Sequence, residues 1–450
     1  MHANALLGLL ALATTVVAAP SPKNAGSPAS IQHMKSKIKN VVLIVMENRS
    51  LDNLLGGQRI RGLDNPINNG PFCNAVNLTD PSVGVACSEP KDYDSITQDP
   101  DHSIPGNNIE FYGTFTPDNM LIANGQLEPS MNGFVHEQIR RHPTKDHMLL
   151  ANQVMNYYTE EQVPVLTALT QNFVVFNRWF SSVPGPTNGN RAFILSGTAY
   201  GHGSNDASFS THGLPQRSIF QQLTETNHTW MDYSVKNNPG DTKYFTWTAE
   251  NDISSHLAPI EQFYYDAGNG TLPEFSYLQP SCCGVGTNSM HPAGLVSDGE
   301  ILLKNVYDAI RASPQWNETL FIITFDESGG FHDHVPPPLA ARPDNVTYTT
   351  KTPDGGVYTF EYNRQGGRIP TFLISPWVNK AHVEQLGINS DGDTREYSAT
   401  SILRTLGYLW DFEPFTPRVE ESPSFDHLIL GEVRNNAPDA LPTPVAFKAK

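Results

Sequence analysis

The sequence predicts an α/β fold with three layers around a mostly parallel sheet, and two observations favour it. First, residues 40–46, 320–325 and 369–375 are nearly unbroken runs of β-branched, aliphatic and aromatic side chains. Runs without polar alternation are typical of strands that are buried on both faces, as in a parallel sheet. Second, helical patterns lie between these runs, as over 298–312, where apolar residues recur at helical spacing. In such folds ligands gather at the carboxyl ends of the strands.

The organisation of the chain favours one domain, because there is no internal repeat and no linker that would separate two cores. We expect a signal peptide, a flexible Ser/Pro-rich leader, one folded domain and a proline-containing tail, at residues 1–19, 20–36, 37–435 and 436–450. Two long loop insertions are expected as well. Residues 53–126 are predicted to form a surface excursion, and residues 339–366 a second one, with a hairpin through Asp354-Gly355-Gly356.

The N-terminal run Ala5–Ala19 is apolar, with small residues before Pro20. It is shorter than the about 20 residues that a helix needs to cross a bilayer of ~30 Å. The pattern indicates a secretory signal, although the lack of Lys and Arg before the run leaves a buried N-terminal helix as the alternative. No other apolar stretch is long enough to be transmembrane. The predicted location is therefore secreted and extracellular.

The charge balance excludes one class of partner. The 450 residues carry 46 acidic and 29 basic side chains, a formal net charge of -17. Nucleic-acid scaffolds hold phosphate backbones with clustered Lys and Arg, so no nucleic-acid partner is expected. If the chain acts on anionic esters, it needs a local positive centre, and a bound metal cation supplies one most simply.

The cysteines and sequons agree with secretion. A Cys73–Cys87 disulfide would close a short Gly/Asn/Pro-rich loop, and the remaining Cys282 and Cys283 are neighbours in the chain. A zinc site is the alternative, although the spacing of the four cysteines matches no zinc ligand pattern. Triplets of the form Asn-x-Thr predict five glycosylation sites, at Asn77, Asn227, Asn269, Asn317 and Asn345.

The first chemically informative segment is Glu47-Asn48-Arg49-Ser50-Leu51-Asp52, directly after the first strand. A carboxylate and an amide oxygen in tandem can both face a hard cation. The alternative is a helix start, with Asn48 or Ser50 as the N-cap and Asp52 in the first turn. If the site is real, Asn48 is buried and its formal sequon carries no glycan.

The second segment, Val183-Pro-Gly-Pro-Thr187-Asn188-Gly189-Asn190-Arg191, surrounds one hydroxyl group with prolines and glycines. Such residues force a sharp, rigid turn, which is how a nucleophile is presented. A helix over 192–196 would point its N-terminal amides at the same place and favour an anion. The alternative is a Pro/Gly loop with Thr187 as an N-cap.

The third segment is Asp326-Glu327-Ser328-Gly329-Gly330-Phe331-His332-Asp333-His334. Adjacent carboxylates at a strand end are costly unless a cation neutralises them, so a function is favoured for Asp326 and Glu327. A structural role is favoured for His332, and Asp333 and His334 are alternatively a structural pair. His102, His291 and, more weakly, His256 lie in loops that could complete a site.

These three segments, in this order, resemble the phosphoesterase family that contains the phospholipases C and related acid phosphatases, and the chain is most similar to a fungal secreted member. The resemblance covers about residues 39–410 and implies an alkaline-phosphatase-like fold with a phosphoesterase catalytic domain. The chain departs from many members at Ser328, Asn188-Gly189 and Ala399, which bears on the substrate rather than on the reaction class.

The resemblance also implies roles for single residues. Thr187 would be the nucleophile that carries the phosphoryl group. One divalent metal cation would be held by Glu47, Asn48, Asp326 and Glu327. The phosphoryl oxygens would be bound by Asn190, His102, His291 and, in a looser alignment, His256, and a histidine would protonate the leaving group.

The function that the resemblance implies is release of a phosphorylated head group from phospholipids, through a Thr-linked intermediate. A broad-specificity secreted acid phosphatase is the alternative, and a catalytically inactive secreted binding protein on the same fold is the second. The expected partners are a phospholipid or a small phosphoester, with transient contact to a membrane surface. The head group, the metal, the pairing of Cys282 with Cys283 and the oligomeric state stay open.

Overall fold

The computed structural model describes residues 25–91, 94–211, 213–234 and 240–446, so the predicted signal peptide lies outside the described residues. The strands in this part of the chain are β1 (Asn40–Met46), β2 (Cys73–Ala75), β3 (Val85–Cys87), β4 (Val174–Phe176), β5 (Trp179–Phe180), β6 (Trp230–Ser234), β7 (Leu257–Pro259), β8 (Phe275–Gln279), β9 (Thr319–Phe325), β10 (Tyr348–Lys351), β11 (Val357–Phe360), β12 (Phe372–Ile374), β13 (His382–Glu384), β14 (Gly387–Ile388), β15 (Thr394–Arg395) and β16 (Tyr397–Ser398). The α-helices are α1 (Pro28–Lys37), α2 (Leu51–Leu55), α3 (Pro66–Asn69), α4 (Ile104–Tyr112), α5 (Asn119–Ala123), α6 (Phe134–Arg141), α7 (His147–Met155), α8 (Pro164–Asn172), α9 (Thr187–Ser196), α10 (Ser208–Thr211), α11 (Ile219–Glu225), α12 (Thr246–Glu250), α13 (Ile260–Asn269), α14 (Val296–Ala312), α15 (Thr400–Trp410) and α16 (Pro417–Glu420).

Eight strands form the central sheet, in the order β13-β4-β12-β9-β1-β8-β6-β7. Neighbouring strands are parallel except at β12, which runs antiparallel to both β4 and β9. Every residue of β1 and β9 is buried, so both faces of these strands are covered. One set of helices, α8, α13 and α14, packs together, and another set contains α1, α9, α11 and α15. The predicted α/β class with a mostly parallel sheet is confirmed.

The third predicted strand is shorter than its apolar run. The sequence predicted a strand over 369–375, whereas β12 contains only Phe372–Ile374 and runs antiparallel. Pro370 follows Ile369 at the start of the run, and a proline has no amide hydrogen to donate to a sheet ladder. The run is therefore buried, as expected, but only half of it pairs as a strand.

The segment 53–126 is more than a surface excursion, and this expectation is wrong. Its helix α4 begins after the N-cap Ser103, ends at Gly113 in the left-handed conformation, and has eight buried residues. Together with β3, α6 and α7 it forms a second apolar cluster, in which Phe111, Phe134 and Val154 are buried. The predicted disulfide is present, because Cys73 and Cys87 lie opposite each other on β2 and β3 and are bonded.

The second insertion matches its prediction. Residues 348–351 and 357–360 pair antiparallel as β10 and β11, with the turn at Asp354-Gly355-Gly356 between them. Gly355 has a φ of 89°, which is a conformation that few other residues adopt. The hairpin is thus determined locally by its turn chemistry.

The described parts of the leader and of the tail are more ordered than their composition predicted. The leader was expected to be flexible over 20–36, but α1 begins at Pro28 after the N-cap Ser27, and Met34 is fully buried. The tail was expected to be unpacked over 436–450, yet Leu441 is buried and the Pro438 carbonyl accepts a hydrogen bond from the Tyr307 hydroxyl at 2.6 Å. Prolines leave carbonyl acceptors available, which is why a proline-containing segment can still pack on α14.

His332 illustrates the interior of the second cluster. Its side chain is 3% exposed, and its ring lies edge-on to Phe134 with centroids 5.2 Å apart. Burial, only partly opposed by the Asp52 carboxylate, lowers the pKa of His332 to about 4. The favoured structural role agrees with this packing.

The pH dependence of stability follows from that pKa. Below about pH 6.5 the unfolded chain binds a proton at His332, whereas the folded chain does not until the pH reaches about 4. The free energy of unfolding should therefore fall by about 3 kcal/mol as the pH drops through this window. His332→Phe should flatten that slope in urea titrations between pH 6.5 and 4. The exposed His147→Phe is the control, and an equal slope in wild type and His332→Phe would contradict the prediction.

Candidate active site

Polar residues gather at one edge of the central sheet, where four adjacent parallel strands end. Glu47 follows β1, and Asp326 and Glu327 follow its neighbour β9. On the other side of β1, strands β8 and β6 end at Gln279 and Ser234. The carboxyl ends of parallel strands meet at the same edge, and the two acidic segments lie there, as the sequence predicted.

The turn after β1 carries both features that the sequence left as alternatives. Ser50 is the N-cap of α2, with its hydroxyl accepting from the Asn53 amide, and Asp52 lies in the first turn. Glu47 and Asn48 precede this cap, and Asn48 has a φ of 65°, in the left-handed region that asparagine tolerates better than most residues. Asn48 is fully buried, which agrees with the expectation that its sequon carries no glycan.

Backbone hydrogen bonds join the turn after β1 to the loop after β9. The Asp326 amide donates to the Met46 carbonyl, and the Arg49 amide donates to the Glu327 carbonyl, both at 3.1 Å. The Asn48 amide donates to Asp326 Oδ1, also at 3.1 Å. These bonds fix the relative position of the two acidic segments.

Arg368 also links the segment after β1 to the segment after β9. Its guanidinium contacts Asp52 Oδ1 at 2.9 Å and Asp333 Oδ1 at 2.8 Å, and its side chain is fully buried. The alternative that Asp333 and His334 pair with each other is wrong, because His334 contacts Asp52 at 2.7 Å and Asp64 at 3.0 Å instead. Their side chains point to different partners although they are neighbours in the chain.

Arg191 provides a cation at the front of the site. Its guanidinium contacts one oxygen of each of three carboxylates: Glu47 at 3.0 Å, Asp326 at 3.0 Å and Asp241 at 2.8 Å. The Arg191 side chain is only 5% exposed. Burial acts against its charge, but the three carboxylates outweigh burial and raise the pKa of Arg191 above its ordinary value.

The carboxylates nevertheless exceed what one guanidinium can offset. Burial and the Asp326 charge raise the pKa of Glu47 to about 8, although Arg191 acts in the opposite direction. Burial and Asp326 also raise the pKa of Glu327 well above its usual range. Raised carboxyl pKa values of this kind mark a site that lacks positive charge.

Thr187 lies at the first turn of α9, facing Glu47. Pro186 is the N-cap position and makes no side-chain cap, so the alternative of Thr187 as the N-cap is wrong. The Thr187 hydroxyl donates to Glu47 Oε1 at 3.2 Å. The helix extends over Thr187–Ser196, longer than the predicted 192–196.

The Asn190 side chain holds the turn that precedes Thr187. Its Oδ1 accepts from the Val183 amide at 3.0 Å, and its Nδ2 donates to the Gly185 carbonyl at 2.8 Å. The side chain is fully buried. Both polar atoms of Asn190 thus shape the turn before Thr187, and its expected contact with phosphoryl oxygens stays a prediction.

His102 and His291 meet at Asp99, whereas His256 lies elsewhere. His102 Nδ1 and His291 Nε2 are 3.9 and 3.8 Å from Asp99 Oδ2, and Asp99 Oδ1 accepts from Asn48 Nδ2 at 2.9 Å. Burial lowers the pKa of His291.

His256 is stacked on Trp230 and its Nδ1 lies 3.0 Å from the Trp230 carbonyl. It precedes β7, and Trp230 begins β6, so both lie at the amino ends of their strands. The assignment of His256 to the site is therefore wrong. Its position before a strand places it at the edge opposite the acidic segments.

A cleft of about 570 Å³ opens beside Glu47 and Thr187. Its walls come from α9 and from the segments that follow β6 and β8. The charged and polar side chains in the lining are those of Glu47, Thr187, Asn188, Arg191, Ser234, Asp241, Tyr244, Gln279, Ser281 and Thr287. The size and polarity suit a small polar group next to the acidic centre.

The predicted cation ligands fit a hard metal ion. Asn48 Oδ1 and Glu327 Oε1 are buried and have no hydrogen-bond partner in the described part of the chain. A Cβ at Gly329 would lie 2.1 Å from Asn48 Oδ1, so only glycine lets this loop approach. With Glu47 and Asp326, these atoms form an all-oxygen donor set of the kind that hard divalent cations bind. The site therefore fits one divalent cation.

Other groups of potential ligand atoms lie nearby. Among the described residues, Glu47, Cys283 and His291 form one group with ligand atoms within 4.8 Å of one another. Asp99 joins His102 and His291 in a second such group. The sequence missed Asp99, Asp241 and the role of Arg191. Arg191 stood inside the second segment and Asp99 stood three residues before His102, whereas Asp241 had no local signal because its partners are distant in sequence.

Comparisons with known proteins identify the family of this chain. Residues 38–413 match the model of the Phosphoesterase family. Non-specific phospholipase C4 of Arabidopsis thaliana is 33% identical over 424 residues, covering 91% of this chain and 75% of that protein. Non-specific phospholipase C6 of the same plant is 34% identical over 424 residues, covering 92% and 77%. A solved structure of a protein in the alkaline phosphatase superfamily from Vibrio parahaemolyticus matches with a TM-score of 0.34 and 15% identity, over 58% of this chain and 64% of that chain.

The Arg191 contacts predict a coupling between this side chain and a cation. Arg191→Met should lower the free energy of unfolding by about 3–5 kcal/mol in the presence of a chelator, because it leaves buried carboxylates without a partner. Added divalent cation should then stabilise the variant more than the wild type, since the ion supplies charge that Arg191 no longer provides.

Chemical unfolding with and without chelator measures both effects. The control is Arg217→Met, which removes an exposed ion pair with Glu225 and should cost at most about 1 kcal/mol. A loss in Arg191→Met no larger than in this control would show that the carboxylates do not depend on Arg191.

Proposed function

Because the chain belongs to the phosphoesterase family, and is therefore a hydrolase that acts on phosphoester bonds, we propose that it is an enzyme of the phospholipase C type. It releases a phosphorylated head group from phospholipids. The observation that carries the proposal is the Thr187 hydroxyl, which faces the buried carboxylates at the edge of the cleft. The relatives named as phospholipases C align over nine tenths of the chain.

The reaction uses the side chains at the strand ends. Thr187 Oγ1 attacks phosphorus, its proton passes to a base, and the bond from phosphorus to the diacylglycerol oxygen breaks. His102 or His291 gives a proton to the departing alkoxide. Water then attacks the phosphothreonine, releases the phosphorylated head group and restores the Thr187 hydroxyl.

The remaining residues position the reacting groups and neutralise charge. Arg191 holds Glu47 and Asp326 in fixed orientations, and Asn190 holds the turn that presents Thr187. A divalent cation bound by Glu47, Asn48, Asp326 and Glu327 would lower the hydroxyl pKa and offset the charge that develops on phosphorus.

An acid phosphatase is the second candidate, and the polarity of the cleft supports it. The charged and hydroxyl groups of the lining suit a small phosphomonoester as well as a head group. Trp179 and Phe180 are buried at 0% and 1% exposure and belong to the core, so they offer no surface to lipid chains. The lipid chains would have to stay outside the cleft.

We also propose that the protein is secreted and glycosylated. Asn227, Asn269, Asn317 and Asn345 are exposed and Asn77 is partly exposed, so all five are accessible to modification. No helix in the described ranges has both the length and the apolar composition that crossing a membrane requires. Protein collected from the medium of an expressing eukaryotic culture should lose mass on treatment with an N-glycosidase, and an unchanged mass would contradict the proposal.

Two chromogenic substrates separate the candidate functions. The phospholipase C proposal predicts turnover of p-nitrophenylphosphorylcholine and release of diacylglycerol with a phosphorylated head group from mixed phospholipid vesicles. Turnover of p-nitrophenyl phosphate alone would favour the phosphatase. Thr187→Ala should lower either activity at least about a thousandfold, because it removes the hydroxyl that faces Glu47.

The matched variants test the nucleophile separately from the fold. Thr187→Ser keeps the hydroxyl and should retain substantial activity, whereas Asn188→Ala changes the next residue of the same turn without removing a reacting group. Unchanged hydrolysis in Thr187→Ala would exclude the proposed intermediate.

A further inference from the structure

A vicinal disulfide forms part of the cleft wall. Cys282 and Cys283 are joined to each other, and both line the cleft beside Glu47 and Thr187. They lie in the loop after β8, and both are exposed. The proposed reaction uses neither sulfur atom.

Cys283 faces the catalytic carboxylate directly. Its Sγ lies 3.6 Å from Glu47 Oε1. Glu47, Cys283 and His291 each offer a ligand atom, and these atoms lie within 4.8 Å of one another. In the described residues Cys282 belongs to no such group, so the two neighbouring sulfurs are not equivalent.

The chemistry of this group differs from that of the all-oxygen set. A carboxylate, an imidazole and a thiolate are the ligand types that zinc prefers, at tetrahedral sites that can keep one position open. Sulfur binds strongly only as a thiolate, and a disulfide sulfur carries no such charge. The oxidation state of Cys282–Cys283 therefore decides whether the third ligand exists.

We propose that reduction of Cys282–Cys283 opens a second metal site, formed by Glu47, Cys283 and His291, which binds thiophilic cations such as Zn²⁺ or Cd²⁺. Binding there takes Glu47 from the hard-cation set and His291 from proton transfer, so hydrolysis stops. The inhibitory effect rests on the proposed function, whereas the binding itself does not.

Reduction of the Cys282–Cys283 disulfide requires a two-electron reductant, such as a dithiol or a phosphine. A dithiol transfers two electrons to the disulfide and becomes a cyclic disulfide, and its two protons end on the released thiols. A phosphine does the same, ending as a phosphine oxide whose oxygen comes from water. The Cys283 thiol then loses its proton to solvent when the cation binds.

Single-cysteine variants test the site without a reductant. Cys282→Ala leaves Cys283 as a free thiol, and Cys283→Ala leaves Cys282 free in the same loop as the matched control. The purified variants are titrated with Cd²⁺, and the ultraviolet charge-transfer band of cadmium thiolate is recorded. Only Cys282→Ala should show a saturable band, and Cys282→Ala/His291→Ala should bind roughly 10- to 100-fold more weakly.

Hydrolysis provides the second readout. Zn²⁺ should inhibit Cys282→Ala at roughly tenfold lower concentration than Cys283→Ala, since loss of even an outer-shell partner weakens metal binding about 10- to 100-fold. Phosphine treatment should make hydrolysis by the wild-type enzyme sensitive to Zn²⁺. The same treatment should not alter the zinc sensitivity of Cys282→Ala/Cys283→Ala.

Equal cadmium bands in the two single variants, or no band in either, would overturn the site. A band in Cys282→Ala without zinc inhibition would overturn the inhibitory effect and leave the binding. An enzyme that hydrolyses neither chromogenic substrate would contradict the proposed function, while the cadmium titration would still decide the site.

Discussion

The concentration of buried carboxylates at the ends of β1 and β9 is the constraint on which the rest of the site depends. Glu47, Asp326 and Glu327 are each at most 3% exposed, and an unpaired buried charge costs several kcal/mol. Arg191 offsets part of this charge through its contacts with Glu47 and Asp326. Burial and the Asp326 charge still raise the pKa of Glu47 to about 8 and the pKa of Glu327 well above its usual range, so Arg191 offsets only part of the cost. A second positive charge is needed for all three carboxylates to be ionised together.

Such a site also needs a rigid frame, because carboxylates without a full set of partners would otherwise move apart. Two buried guanidinium groups provide this frame from opposite sides. Arg191 links Glu47 to Asp326 at the front, and Arg368 links the helix after the first segment to the loop after the second. Between them, backbone hydrogen bonds run directly from one loop to the other. The left-handed Asn48 is held in place by this arrangement, since its amide donates to Asp326.

The sequence predicted the parts of this arrangement that are local. The apolar runs indicated β1 and β9, and the polar residues directly after them had to lie at the same edge of a parallel sheet. The sequence could not predict contacts between residues that are distant in the chain, such as Arg191 with Asp241 or His291 with Asp99.

Its errors have the same origin. His256 was assigned by composition, although it stands before a strand and so lies at the opposite edge. The order of the terminal segments depends on α14, α15 and the Asp426 region, which no local pattern in those segments encodes.

The topology also separates the reacting centre from the walls that select the substrate. The carboxylates and their frame come from the segments after β1 and β9, whereas much of the cleft wall follows β6 and β8. Substitutions in the wall can therefore alter the shape of the cleft without disturbing the charge balance, except at Asp241, which contacts Arg191. Glu47 is the point where the two regions meet, since it contacts Thr187, Arg191 and Cys283. A change in the loop after β8 can therefore affect the reacting centre through the Glu47 carboxylate. The chemistry of that loop bears on catalysis for this reason, although the loop follows neither β1 nor β9.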